Sequence, residues 1–231
     1  MKFVSVIQHT QSEWLGSIED HLEGRGIRFG YARPFTPGGT LPGVETVGDG
    51  LILLGGGPWG AASKTNLLPT LDAEVRLVRA CLMLEKPVVA FGLGAQILSL
   101  AAEGGVEEAP LVFEVGHATR STDGALGGLL PARLPNVVYM RDRPRPPDYA
   151  QMLACDAAGR PSLFQIGANA FGFTGQIGIR RAMIEDLVME SDESPPGIPE
   201  GLAAMVVLAK EIEDALVPIM AGLIAATGWM E

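Results

Sequence analysis

The stretch from Pro87 to Gln96, PVVAFGLGAQ, is where residue types and spacing come closest to chemistry. Val88 to Phe91 is a short apolar run that predicts a buried strand, and a helical pattern follows at once with Ala95, Gln96, Ile97 and Leu98. Strand, sharp turn and helix is the layout of a nucleophile elbow, which lifts one side chain above the C-terminal edge of a parallel sheet. The chemistry would be covalent attack by that side chain, activated by a neighbouring base. The residue at the tip is Gly92, so the layout is present and the reacting atom is absent. An elbow tip commonly has positive φ, which glycine adopts without strain. Gly92 is therefore expected there, with the N–H of Leu93 turned to a pocket beside Gly56 and Gly57.

Other groups could supply chemistry in its place. His117 follows Glu114-Val115-Gly116 and reads either as a strand residue beside the pocket or as a ligand-facing imidazole. His9 ends the first strand, as a loop cap or a site residue. Thr174 and Ser99 carry hydroxyls, but Ser99 falls in mid-helix and Thr174 has no evident imidazole partner. Gly55-Gly56-Gly57-Pro58, straight after an apolar strand, lets the backbone approach a ligand or aim N–H groups into a site. It lacks the Lys-Ser/Thr of a phosphate-binding loop, and Ser63-Lys64-Thr65 lies too far on. No His, Cys, Asp and Glu cluster has metal-ligand spacing, so neither metal nor cofactor is expected.

Taken together, PVVAFGLGAQ, Gly56-Gly57-Pro58, Gly104-Gly105-Val106, Glu114-Val115-Gly116-His117 and Gly175-Gln176-Ile177 resemble, in order and spacing, the motifs of the class I glutamine amidotransferases. The opening IQHTQSEWLG is similar to that of the subgroup containing the amidotransferase part of GMP synthase. The resemblance runs from end to end and implies an α/β, flavodoxin-like fold. Its mostly parallel central sheet would carry helices on both faces and a smaller antiparallel section. One domain would span residues 1–231, with a C-terminal helical extension at about 200–228.

The same resemblance shows what is missing. Active members use a Cys-His-Glu triad; the matching positions here are Gly92, Gly178 and Arg180, with Ile179 between the last two. Without thiolate, imidazole and carboxylate, attack on a glutamine amide and return of its proton have no agents. The implied protein is a pseudoenzyme with no catalytic residue. It would keep Gly56, Gly57 and Leu93 as oxyanion-type backbone, and Gln96 and His117 as possible ligand contacts. Its implied partner is a synthase or ligase subunit, or a glutamine-like or other small molecule. Two alternatives remain: different chemistry using His117, Arg180 or Arg181, and a structural homo-oligomer.

Composition narrows the partners. With 47% apolar and 19% charged residues the chain is globular, and 231 residues suffice for one well-filled α/β domain. A net charge of −10 argues against nucleic acid and against anionic membrane. Cys81 and Cys155 read as reduced thiols, which suggests a cytoplasmic setting. The opening MKFVSVIQHT is too short an apolar run for a signal peptide, and no run is long enough to span a bilayer.

The elements that must position these residues follow from periodicity. Strands are expected at Lys2 to Ile7, Ile27 to Ala32 and Leu51 to Leu54. In the second half they are expected at Leu111 to His117, Val137 to Met140, Gln151 to Cys155, Leu163 to Ile166 and Phe171 to Ile177. Thr10-Gln11-Ser12-Glu13 has the capping-box pattern of a helix start, with Trp14, Leu15, Ile18 and Leu22 as its apolar face. Further helices are expected at Thr70 to Glu85, Arg181 to Glu190 and Glu200 to about Ala226. The last bears Leu202, Met205, Val206, Ala209, Ile212, Leu216, Ile219, Met220, Leu223 and Ile224, more apolar surface than one face requires. Part of it is expected to bury against a second chain.

Overall fold

A computed structural model describes residues 1–230. The N-terminal half alternates strands and helices: β1 (Phe3–Ile7), α1 (Ile18–Glu23), β2 (Arg28–Ala32), β3 (Gly50–Leu53), α2 (Leu71–Met83), β4 (Val88–Phe91) and α3 (Leu93–Ala101). Then come β5 (Gly105–Glu107), β6 (Val112–Arg120), β7 (Arg133–Met140), β8 (Arg143–Arg145), β9 (Gln151–Asp156), β10 (Pro161–Ile166) and β11 (Ala170–Phe173). Helices α4 (Arg181–Glu190) and α5 (Ile198–Thr227) complete it.

One nine-stranded sheet runs in the order β2-β1-β3-β4-β11-β10-β9-β6-β7. Its first five strands are parallel; from β11 to β7 every ladder is antiparallel. The antiparallel section is thus an extension of the same sheet, and β5 pairs with β8 in a separate two-stranded ribbon. The parallel strands alternate with period two. Ile7, Leu51, Leu53, Val88 and Ala90 face α2 and α3. Val4, Val6, Ile52, Val89 and Phe91 face α1 and the C-terminal half of α5. Burial on both faces explains why β3 and β4 are apolar throughout.

Two expected elements differ. The capping-box segment does not start a helix. The backbone N–H groups of Gln11 and Ser12 donate to the Glu190 carboxylate, and that of Glu13 donates to Thr10 Oγ1. With these donors satisfied by side chains, residues 10–17 stay irregular and α1 begins only at Ile18, past Gly16 at φ 62°. The strand expected over Phe171 to Ile177 ends at Phe173. Beyond it Gln176 turns away to donate from Nε2 to Trp14 O.

Most of the apolar surface of α5 is consumed within the chain. Leu216, Ile219, Met220, Leu223 and Ile224 bury against the sheet, and Met205 buries with Phe113, Tyr139 and α4. The helix ends at Gly228, and Trp229, 2% exposed, folds beneath the parallel sheet. Its indole N–H donates to Asp49 O at 3.2 Å, and its ring packs on Gly50. Replacing Trp229 by alanine is expected to lower unfolding free energy by about 3–5 kcal/mol, the cost of emptying a buried aromatic site. Urea denaturation of the variant measures it, and a loss under about 1 kcal/mol would show that the C-terminus is not anchored there.

Candidate functional site

The chain leaves β1 towards β2 on one side and returns to β3 on the other, so a crevice opens at the carboxyl ends of β1, β3 and β4. That is where open α/β sheets collect ligands. Three segments converge there: Gln8-His9 after β1, Gly55-Gly56-Gly57 after β3, and Gly92 after β4. Gly92 has φ 52° and ψ −114°, the positive φ expected of an elbow tip. A Cβ built on it would lie 3.3 Å from Gly55 Cα and 4.0 Å from Thr174 O, so a side chain could enter with a slight shift of its neighbours.

The space around this tip is narrow. A cavity of about 10 Å³ is lined by Glu13, Gly55, Gly92, Val137, Tyr139, Thr174, Gln176 and Ile179, among others. That is room for roughly one water molecule. Two buried polar atoms of its lining residues, Tyr139 Oη and Gln176 Oε1, have no hydrogen-bond partner among the described residues.

Glu13 does most to narrow it. The carboxylate is 3% exposed and accepts a hydrogen bond from the Gly57 N–H. Burial pushes its pKa up to about 7, against the Gly57 bond and the His9 charge, which both favour ionisation. Next to it, His9 is fully enclosed. Its Nδ1 faces the carbonyls of Leu54 and Gly55 at 3.1 and 3.0 Å, and its Nε2 faces Glu74 Oε2 at 2.8 Å. Every group around the ring is an acceptor, so both nitrogens carry protons. Burial alone would lower the imidazole pKa; Glu74, through charge and hydrogen bond, outweighs it and the net shift is upward. Glu74 is held in turn by Thr70 Oγ1 at 2.6 Å, at the start of α2.

The triad-like positions after β11 face differently from one another. Gly178 has no room for a side chain: a Cβ there would meet Ile18 Cγ1 at 2.6 Å and Leu15 O at 2.8 Å. Its carbonyl accepts from Ser17 N at 2.9 Å, at a close backbone crossing with Gly16. Ile179, 5% exposed, lines the cavity instead. Arg180 points away, donating to Asp20 at 2.9 Å and Ser17 at 3.2 Å, with its guanidinium over the Trp14 ring. Arg181 pairs with Glu185 one turn on.

The other expected residues are spread out. Leu93, 1% exposed, packs its side chain against Gly56. Gln96 accepts from Ala61 N and donates to Arg141 O, tying the loop after β3 to the end of β7. His117 lies on β6 away from the cavity, where Arg133 donates to Nδ1 and Nε2 donates to Glu211 of α5. Thr174 lines the cavity, whereas Ser99 is buried within α3. Cys81 is buried and its thiol is pushed up to about 11 by burial. Among the described residues no group of three or more His, Cys, Asp and Glu could hold a metal ion, and no helix is long and apolar enough to cross a membrane. Past the ends of β1 and β3 a wider cleft of about 540 Å³ is lined by His9, Thr10, Pro58, Trp59, Phe35 and the acidic Glu190-Ser191-Asp192-Glu193 segment.

Glu13, Glu74 and Tyr139 belong to the site although sequence reasoning does not reach them. The capping-box pattern gives the Glu13 carboxylate a local task. Its place in IQHTQSEWLG, one of the segments carrying the resemblance, is the signal that could have found it.

Both raised pKa values have one consequence. Glu13 binds its proton more tightly folded than unfolded, between its usual 4.5 and about 7. Stability contributed below pH 4.5 is therefore lost as pH rises through 7; the raised His9 contributes in the same direction, at the higher end. Glu13→Gln keeps an oxygen for the Gly57 N–H and removes the titration. It is expected to raise stability at pH 8 by about 3 kcal/mol and to change little at pH 5. Thermal melts of both proteins across pH 5–8 measure this; parallel curves would contradict the assignment.

No family model matches the chain, and no curated protein matches it by sequence. Solved structures match it throughout. A glutamine amidotransferase from Methylobacillus flagellatus aligns with TM-score 0.78 and 21% identity over 98% of this chain and 95% of its own. One from Thermotoga maritima aligns with TM-score 0.78 and 20% identity over 98% of each chain. A protein from Thermoplasma acidophilum, described as a candidate component of GMP synthase, aligns with TM-score 0.59 and 16% identity over 91% of this chain and 98% of its own. The chain has the fold of the class I glutamine amidotransferases.

Proposed function

We propose that this chain is a class I glutamine amidotransferase-like protein that has lost glutamine hydrolysis and acts as a binding or regulatory subunit. The observation that carries the reading is the narrow elbow, occupied by Glu13. The N–H of Gly57, of the type that would stabilise an oxyanion, is taken by the chain's own Glu13 carboxylate. The remaining cavity of about 10 Å³ has no room for a glutamine side chain.

Loss of the triad and narrowing of the pocket support one another. Gly92 supplies no thiol, and the backbone at Gly178 has settled against Leu15 and Ile18, where an imidazole would have to stand. Arg180 serves instead as a tie between α1 and α4. The proposed partner is a synthase or ligase subunit, by analogy with the candidate synthase component that shares the fold. A glutamine-like or other small molecule would bind outside the narrow elbow.

The test is a direct assay. The purified protein is expected to release no ammonia from glutamine above background, and a glutamine-like electrophile is expected to leave no adduct. Gly92→Cys is expected to fold, to lose about 1–3 kcal/mol because a side chain is strained at positive φ, and to remain without glutaminase activity. Gly178→His is expected to lose more than Gly92→Cys, since its Cβ meets backbone as well as side chain. Turnover of glutamine by the wild type or by Gly92→Cys would overturn the reading.

A further inference from the structure

The outer face of α5 carries a pattern that its inner face does not explain. Ala203, Val207, Lys210, Asp214, Val217 and Ala221 follow one another at spacings of 4, 3, 4, 3 and 4 residues. That is the heptad spacing that keeps a seam on one side of a helix. The first five are exposed, Val207 at 83% and Val217 at 54%. Lys210 and Asp214 bridge each other at 2.7 Å in the open, with side-chain exposures of 83% and 64%.

The seam also reads as its own complement. Reversed about Ile212, Ala203 falls on Ala221, Val207 on Val217 and Lys210 on Asp214. A twofold axis perpendicular to α5 at that point therefore brings small residue to small, valine to valine and cation to anion. An isologous contact requires this relation, because each residue meets the image of its counterpart. An arbitrary exposed apolar stripe does not supply it. Beside the seam runs a groove of about 730 Å³ with Val206, Ala209 and Leu216 on its walls and Arg180, Arg181 and Glu213 at its edges. It gives the flanking side chains of a second helix somewhere to pack.

We infer that α5 pairs antiparallel with α5 of a second copy of this chain, through the Ala203–Ala221 seam, with Lys210 of each copy on Asp214 of the other. The local Lys210–Asp214 bridge then becomes a four-charge cluster at the axis. The contact leaves the Gly92 cavity untouched, so the inference stands apart from the proposed loss of glutaminase activity.

Charge exchange tests it on the full chain. The wild type is expected to sediment as a dimer at micromolar concentration. Lys210→Glu alone places acid on acid, Asp214→Lys alone places base on base, and each is expected to weaken the dimer by about tenfold or more. The double variant is expected to dimerise again. The discriminating result is the mixture: the two single variants, each weakened alone, are expected to pair with one another, since each then meets its opposite charge at both positions. Circular dichroism checks that all variants are folded, as exposed positions on a long helix permit. A monomeric wild type would overturn the inference. So would single variants that dimerise as tightly as wild type, or a mixture that fails to pair.

Discussion

A carboxylate held out of water must be neutral, paired or hydrogen-bonded, and Glu13 sets that demand at the centre of this structure. The Gly57 N–H answers part of it, which fixes the loop after β3. The positive charge of His9 answers another part, which fixes the end of β1. His9 needs a counterion of its own, and Glu74 supplies it from α2. The strand ends, the glycine loop and a helix packed on one face of the sheet are thus joined through a chain of buried polar contacts. Each contact satisfies a group that would otherwise be costly to bury.

Beside that chain, the part of the crevice beneath Gly92 is filled from inside. Two glycines, Gly178 after β11 and Gly16 before α1, let backbones cross where side chains would otherwise intervene. Residues 10–17, pinned by Glu190, then lie across the elbow. The space beneath the elbow tip is narrow, with Ile179, Val137 and Tyr139 among its walls. The geometry of the tip is held by the packing of β4 and α3 on either side of it.

The strands and most helices were legible because both faces of the parallel section are buried. Val88 to Phe91 and Leu51 to Leu54 are apolar throughout, and Arg181 to Glu190 has clear helical periodicity. The turn at Gly92 followed from its position between such elements. The pairing of the antiparallel section was not legible: β6 lies between β7 and β9, an order that depends on contacts distant in sequence. What fills the site was not legible. Glu13 entering the elbow is a tertiary outcome, won over a local capping box by a backbone N–H forty-four residues away. His117 went to a helix whose packing over β6 no local pattern reveals.

Strand β11 lies near the middle of the sheet, between β4 and β10, yet it is the last strand to be made. Its register with β4 joins residues 88–91 to residues 170–173, so the parallel half cannot close when its own sequence is complete. A nascent chain must keep the free edge of β4 unpaired while the intervening strands are synthesised. An exposed apolar edge of that kind invites pairing with the wrong strand or the wrong chain. Assembly of this protein is thus tied to events late in translation, and its two halves are poor candidates for separation into autonomous pieces.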